Sequence, residues 1–251
     1  MPKEQRPELP DPADLDSIGE IVRHRLTAEP NAVAVTYGDR DWTWTEFDAR
    51  VRHFVTGLRS DLLKRGQHIA VLNRNHPSGL EALFASAYMG VVCTFVDPRL
   101  SPAGVLRALN EAEARFLFVG YEFEEMLGGI SIDLDTVIST ITVGGPDDEY
   151  EGWLEAHETH EGLLKASRER KGSDEGQPVA RLYSSEGPKG PTRSDFSHRR
   201  LLLASSETIR RKAIGPEDVC VVEEPLSSAK VLVRAVSGMA AGAMTTLVHD
   251  G

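Results

Sequence analysis

Short continuous apolar runs alternate with amphipathic segments along most of this chain, and that alternation restricts the fold more than any other feature. Ala32 to Tyr37, His68 to Leu72, Val91 to Val96 and Arg115 to Val119 read as strands, as does a segment ending near Val143. Between them lie stretches with helical spacing: Phe47, Val51, Phe54, Val55, Leu58 and Leu62, then a helix from Pro77 to Met89, then one from Pro102 to Ala112. A first amphipathic helix is marked by Leu15, Ile18, Ile21, Val22 and Leu26. Strands joined by helical segments imply parallel crossover units, and strands covered on both faces need no polar alternation. The expected fold class is α/β, with parallel sheets flanked by helices.

The alternation resumes after a break. Residues 144–177 are rich in Glu, Asp, Gly and His, carry the charge run Arg168-Glu169-Arg170-Lys171, and read as a connector with one short helix around Trp153 to Ala166. Val179 to Ser184 is the next strand. A loop to about Phe196 follows, then a helix capped by Ser197 and running to Lys212. Val219 to Val222, a helix from Ser228 to Met239 and Met244 to Val248 complete the pattern. The domains expected from this are a first α/β subdomain over 1–145, an acidic connector over 146–177, and a loop–helix region opening a second subdomain over 178–251. There is no internal repeat.

Composition narrows the function classes. The 251 residues hold 28 Lys plus Arg against 39 Asp plus Glu, a net charge of −11. Such a field repels polyphosphate, so nucleic acid and anionic membrane surfaces are not expected partners. No apolar run approaches the roughly 20 residues of a membrane span, and the polar, Pro-rich start is no signal peptide, so a cytoplasmic location is expected. Cys93 and Cys220 sit in apolar runs and read as core residues. His157 and His160, spaced i, i+3, lack further ligands, and no metal site is expected.

The segment from Tyr183 to Arg193 carries the chemistry. A strand, a Ser/Gly/Pro-rich loop and a capped helix form the general architecture of a phosphate cradle, in which amides and a helix N-terminus face an anion. The loop is not a Walker sequence, because no Gly-Lys-Ser/Thr follows a four-residue spacer. Candidate anion-binding residues are Ser184, Ser185, Gly187, Lys189, Thr192 and Arg193, with His198 a weak catalytic candidate; the competing reading of Ser197-His198 is an N-cap followed by a satisfied surface histidine. Asp97 and Arg99 lie beside Pro98 at a strand end, where α/β sheets place ligands, and are also ordinary turn formers. The acidic pair Glu223-Glu224 after a strand reads as a cation-binding pair or a solvated strand end.

Several segments in order resemble the N-terminal half of the adenylate-forming superfamily: acyl-CoA synthetases, aryl-acid ligases and adenylation domains. Thr43-Trp44-Thr45-Glu46-Phe47 resembles the family's Thr-Tyr-x-Glu-Leu. Gly66 through Asn73, Asn75 and Met89-Gly90-Val91 resembles its first strand, helix and Gly-Ala-Val turn. Asp97-Pro98-Arg99-Leu100 resembles Asn-Pro-Arg-Leu, Ser197-His198-Arg199-Arg200-Leu201 resembles Ser-His-x-x-Leu, and Pro225-Leu226 resembles the next Pro-Leu. The family's loop is Tyr-Thr-Ser-Gly-Thr-Thr-Gly-x-Pro-Lys-Gly. Aligned without a gap, Tyr183, Ser184, Ser185 and Pro191 match. Glu186 takes the first Gly position, Gly187 and Pro188 replace two hydroxyl residues, Lys189 replaces the second Gly, Thr192 the Lys and Arg193 the last Gly. Pro188-Lys189-Gly190 matches Pro-Lys-Gly only with compensating gaps.

The resemblance implies an ATP or AMP site with Mg, and the departures imply that it is impaired. A carboxylate at Glu186 opposes phosphate charge at a cost of about 1–4 kcal/mol at about 4 Å, and Pro188 removes an amide donor. The family's Phe-His after Pro-Leu is replaced by Ser227-Ser228, which either widens an acyl pocket or caps the next helix. The family's later motifs have no counterpart, among them the adenine and magnesium segment, the ribose Asp and the C-terminal domain with its catalytic Lys. The expectation is a degenerate, truncated homologue acting as a binding or partner module, with no autonomous ligase activity. The alternative is an enzyme on a carboxylate or acyl substrate, completed by a partner chain or using a repurposed pocket. Strands near Val219 to Val222 and Met244 to Val248 are expected to leave an open sheet edge, and with it a homodimer or a complex with another protein, possibly a ligase or carrier protein.

Overall fold

A computed structural model describes residues 10–146, 148–158, 176–184 and 191–248. Two sheets organise it. The larger has six strands in the order β6-β5-β3-β4-β7-β8, with β3 His68–Leu72, β4 Val92–Val96, β5 Ala114–Gly120, β6 Ser139–Val143, β7 Pro178–Ser184 and β8 Thr192–Ser197. All its neighbours are parallel except β7 and β8, an antiparallel hairpin pairing Ser184 with Thr192 and Arg181 with Asp195. The smaller sheet has the order β2-β1-β10-β9, with β1 Val33–Tyr37, β2 Arg40–Thr43, β9 Val219–Val222 and β10 Met244–Leu247. Both sheets take strands from each side of residues 146–177.

The helices are α1 Gly19–Ala28, α2 Trp44–Ser60, α3 Ser78–Met89, α4 Pro102–Ala112, α5 Glu124–Gly128, α6 Glu149–Ala156, α7 His198–Lys212 and α8 Ala229–Ala241, besides three short 3-10 turns. Strand alternation divides the core in two. Ile69, Val71, Cys93, Phe95, Phe116, Phe118, Ala180 and Leu182 face one contiguous core that also contains Phe47, Leu83, Leu202, Leu232, Val222 and Leu247. Ala70, Leu72, Val96, Leu117, Val119 and Tyr183 face a smaller core under α4 and α5. Burying each large apolar side chain of this kind contributes about 1.5–3 kcal/mol.

Local chemistry sets the element ends. Thr43 and Glu46 form a reciprocal capping box at the start of α2, as their spacing predicts. Arg25 donates from Nη2 to the carbonyl of Ala240 at 2.6 Å, closing the last turn of α8. Gly242 follows at φ +79°, and a Cβ there would fall into the Arg25 guanidinium. From the first half of α2, Arg50 reaches Glu81 at 2.5 Å and Glu151 at 2.6 Å, while the Tyr150 hydroxyl donates to Glu81. This cluster of one arginine between two carboxylates ties α6 to α2 and α3. The short helix expected around Trp153 to Ala166 is described as Glu149–Ala156; residues beyond 158 in that reading, His160 included, lie outside the described residues.

Two elements depart from the sequence reading. Residues 192–197 form a strand where a loop is expected, and residues 40–43 form a strand to which the sequence reading assigned no element. Both are edge strands with one buried residue apiece, Trp42 and Phe196, so neither presents an apolar run. Of the two strands expected at an open edge, β10 lies between β1 and β9, while β9 has no partner on its other side among the described residues.

Candidate functional site

The carboxyl ends of β3, β4 and β7 carry the candidate residues, as parallel sheets favour. Asn75 follows β3 in a left-handed conformation, φ +57°, and its Nδ2 donates to the carbonyls of Val222 at 3.3 Å and Val248 at 3.4 Å. That side chain joins the ends of the two sheets, while its Oδ1 is buried without a hydrogen-bond partner. Asn73 Nδ2 donates to the Ser78 hydroxyl at 3.1 Å, fixing the entry into α3.

Asp97 ends β4 and is wholly buried. Its amide donates to the carbonyl of Tyr183 at 2.8 Å. Its carboxylate accepts from the Arg99 amide and Nε, both at 2.9 Å, and from Arg99 Nη2 at 2.8 Å. Asp97 and Arg99 therefore lock the turn after β4 rather than present a carboxylate to a ligand.

The hairpin holds the residues that would meet phosphate. Ser185, Gly187 and Lys189, with Glu186, lie outside the described residues. Ser184 and Thr192 face each other across its mouth, the Ser184 hydroxyl donating to the Thr192 carbonyl at 3.5 Å. Arg193 donates from Nη2 to Asp195 at 2.6 Å and from Nε at 3.2 Å. Arg181, opposite on β7, donates from Nε to the same carboxylate at 2.9 Å and from Nη2 at 3.2 Å. Burial alone would raise the Asp195 pKa, but the hydrogen bonds and charges of Arg193 and Arg181 outweigh it and hold it at about 2.

Every arginine near this hairpin is engaged within the chain. Arg200 donates to the Asp195 carbonyl at 2.6 Å and stacks over the Phe196 ring, and Arg199 donates to the Ala13 carbonyl at 2.5 Å. Sequence reasoning missed Asp195. Its spacing from Arg193, two residues on an extended strand, puts both on one face, but the segment lacks the apolar pattern that identifies a strand.

His198 opens α7 and is nearly buried. The Ile18 amide donates to its Nδ1 at 3.3 Å, which pins α7 to the start of α1. Burial, and secondarily the charge of Arg65, lowers its pKa to about 4, so the ring is neutral at pH 7. His198 is thus placed as a packing link. Ser228 stands at the N-cap of α8 without a side-chain cap bond, so the expected capping hydroxyl is not made there. Ser227 is buried with no partner for its hydroxyl. Glu223 and Glu224 are exposed. His157 accepts or donates locally, with Nε2 3.2 Å from the Ser60 hydroxyl and Nδ1 2.7 Å from the Trp153 carbonyl. Among the described residues no group of three or more His, Cys, Asp or Glu could hold a metal ion. Of the phosphate-loop candidates only Ser184, Thr192 and Arg193 lie among the described residues; Arg193 and Arg181 share the one Asp195 carboxylate, which cancels one of their two charges.

Fold and hairpin together define the class, the N-terminal half of an adenylate-forming ligase. The model of the AMP-binding enzyme family matches residues 22–222, and the chain belongs to that family. It is similar to the peroxisomal trans-cinnamate:CoA ligase of Petunia hybrida, 26% identical over 214 residues, which cover 78% of this chain and 38% of the relative. It is 30% identical to a feruloyl-CoA synthase of Amycolatopsis over 132 residues, 53% of this chain and 27% of that one. An anthranilate CoA ligase, AuaEII, solved with anthranoyl-AMP, superposes with a TM-score of 0.85 at 18% identity, over 96% of this chain and 46% of that one. The N-terminal domain of FACL13 from Mycobacterium tuberculosis gives 0.81 at 18% identity, over 94% of this chain and 58% of that domain. At such identities the structural likeness establishes the fold. The chain spans less than half the length of these curated relatives. No helix among the described residues is long and apolar enough to cross a membrane.

Proposed function

We propose that this chain is a partner module derived from a CoA ligase, and that by itself it does not activate a carboxylate with ATP. One observation carries the reading: Asp195 bonds both Arg181 and Arg193, which ties the hairpin's described cations to a carboxylate of the chain itself and cancels one of their two charges. The loop sequence supports it, since Glu186 stands where the family has glycine and Thr192 where it has lysine. The relatives' names suggest aromatic and fatty carboxylates as the ligand class of any retained acyl pocket, near the buried Ser227. Two buried, unpaired cysteines accord with a reducing, cytoplasmic setting.

ATP–pyrophosphate exchange by the 251-residue chain, with a panel of cinnamic, benzoic and fatty acids, tests the reading. It predicts exchange no higher than the protein-free blank. Acid-dependent exchange by the isolated chain contradicts it. A second reading, a ligase completed by another polypeptide, is favoured by the retained strand-end geometry in which Tyr183 and Ser184 end β7 beside Asp97. It predicts exchange only when that polypeptide is added.

A further inference from the structure

His76 stands between β3 and α3, buried where both sheets and α6 approach each other. The Tyr37 ring, at the end of β1, meets its ring edge-on at 5.1 Å, and the Tyr150 ring of α6 does so at 5.9 Å. Its Nδ1 accepts the Ser78 amide at 3.2 Å. The next three amides of α3, those of Gly79, Leu80 and Glu81, bond to the main-chain carbonyls of His76 and Pro77. The Ser78 amide is thus the one at this helix start that depends on a side chain. Ser78 is wholly buried, and a buried amide left without an acceptor is costly. A ring nitrogen that accepts a hydrogen bond carries no proton, so His76 is neutral in this arrangement.

The charges beside it favour the opposite state. Arg50 from α2 bonds Glu81 of α3 at 2.5 Å and Glu151 of α6 at 2.6 Å, and the Tyr150 hydroxyl donates to Glu81. One guanidinium serves two carboxylates, and Tyr150 keeps its proton because burial, then the charge of Glu81, pushes its pKa up. Burial works to raise the Glu151 pKa, but the hydrogen bond and charge of Arg50 outweigh it, and Arg40 and then His76 add to the lowering. His76 therefore lies within electrostatic reach of Glu151. Glu122, after β5, and Asp148, before α6, act with Tyr121 on Tyr37. Arg74, two residues before His76, lies over the Phe123 ring. Among these groups the carboxylates Glu81, Glu122, Asp148 and Glu151 outnumber the guanidiniums Arg40, Arg50 and Arg74.

Two demands thus act on one ring. The start of α3 needs an acceptor and disfavours a cation, since a helix N-terminus carries partial positive charge. The surplus carboxylate favours a cation. Histidine is the side chain whose charge changes near neutral pH, and here each protonation state has its own partner.

We propose that His76 is a proton-operated latch: neutral, it holds the first amide of α3, and protonated, it gives up that amide and turns its charge to Glu151. Next to it, Asn75 bonds the Val222 and Val248 carbonyls of the smaller sheet, so the latch loosens α3 at the junction of the two sheets. It involves neither nucleotide nor partner, and it and the partner-module reading can fail separately.

The test is nitrogen-15 NMR of the whole chain from pH 8 to pH 5, following the His76 ring and the Ser78 amide together. The Ser78 amide should lose about tenfold of its protection against hydrogen exchange as the ring protonates, while the Leu80 amide, bonded to the Pro77 carbonyl, keeps its own. Glu151→Gln leaves Arg50 a polar partner but removes the charge, and should lower the ring's titration midpoint by about half a unit or more. His76→Gln should remove the pH step at Ser78, with the fold of both variants checked by circular dichroism. A ring that stays neutral to pH 5, Ser78 protection that does not follow the ring, or a pH step that survives in His76→Gln would each overturn the proposal. So would an unchanged midpoint in Glu151→Gln, or carboxyl shifts showing that Glu81 or Glu151 takes the proton before His76.

Discussion

His198 and His68 are held neutral by their surroundings, and that links their protonation to folding. Burial, with Arg65 beside His198 and with Arg181 beside His68, lowers each ring to about 4. In the unfolded chain each titrates near 6.5, so on acidification the unfolded state takes up the protons first. The stability they contribute is present in full above pH 6.5 and is lost between 6.5 and about 4, at up to about 1.4 kcal/mol per pH unit for each ring. Urea unfolding at pH 7 and pH 5 should show the loss, and His198→Gln should reduce it. An unchanged slope in the variant contradicts the placement of His198. Asp195 acts in a lower window, since its contribution is present above about 4 and falls away only as pH drops through about 2. Asp195→Asn removes the carboxylate that both arginines share. It should raise the affinity of the chain for pyrophosphate by about tenfold, the worth of one freed charge-assisted bond, as read by calorimetry. An unchanged affinity would show that these arginines do not face the anion.

Among the elements, α6 tests how closely the packing is specified. Gly57 on α2 lies against Trp153, and a Cβ at Gly57 would fall inside the indole ring. Helix propensity alone favours Gly57→Ala by about 1 kcal/mol, whereas overpacking costs about 1–3 kcal/mol. Net destabilisation with a shifted tryptophan emission is expected, and a stabilised variant contradicts the contact. The sequence made much of the element order legible. His68–Leu72, Ser78–Met89, Pro102–Ala112, His198–Lys212 and Val219–Val222 follow from apolar period, caps and breakers. β2 and β8 did not, because an edge strand with one buried side chain has no pattern to read. Strand partnership was equally illegible. β1 pairs with β10 across more than 200 residues, Val35 with Thr245, and no local periodicity encodes such a register. At the site, the cradle-forming segment was recognisable from its residues. The Asp195 clasp was not, because its meaning depends on β8 being a strand opposite Arg181.

In the whole molecule, the hairpin lies at the end of β7 between β4 and β8, and its two described cations, Arg181 and Arg193, share one carboxylate, Asp195. The partner-module proposal predicts that the chain by itself does not take up a triphosphate. The most direct measurement is calorimetric titration of the 251-residue chain with ATP and magnesium, wild type beside Arg193→Ala. The account predicts no saturable heat in either up to about millimolar ATP, the weak-affinity regime near −4 kcal/mol. Saturable micromolar binding by the wild type, lost in Arg193→Ala, would contradict it.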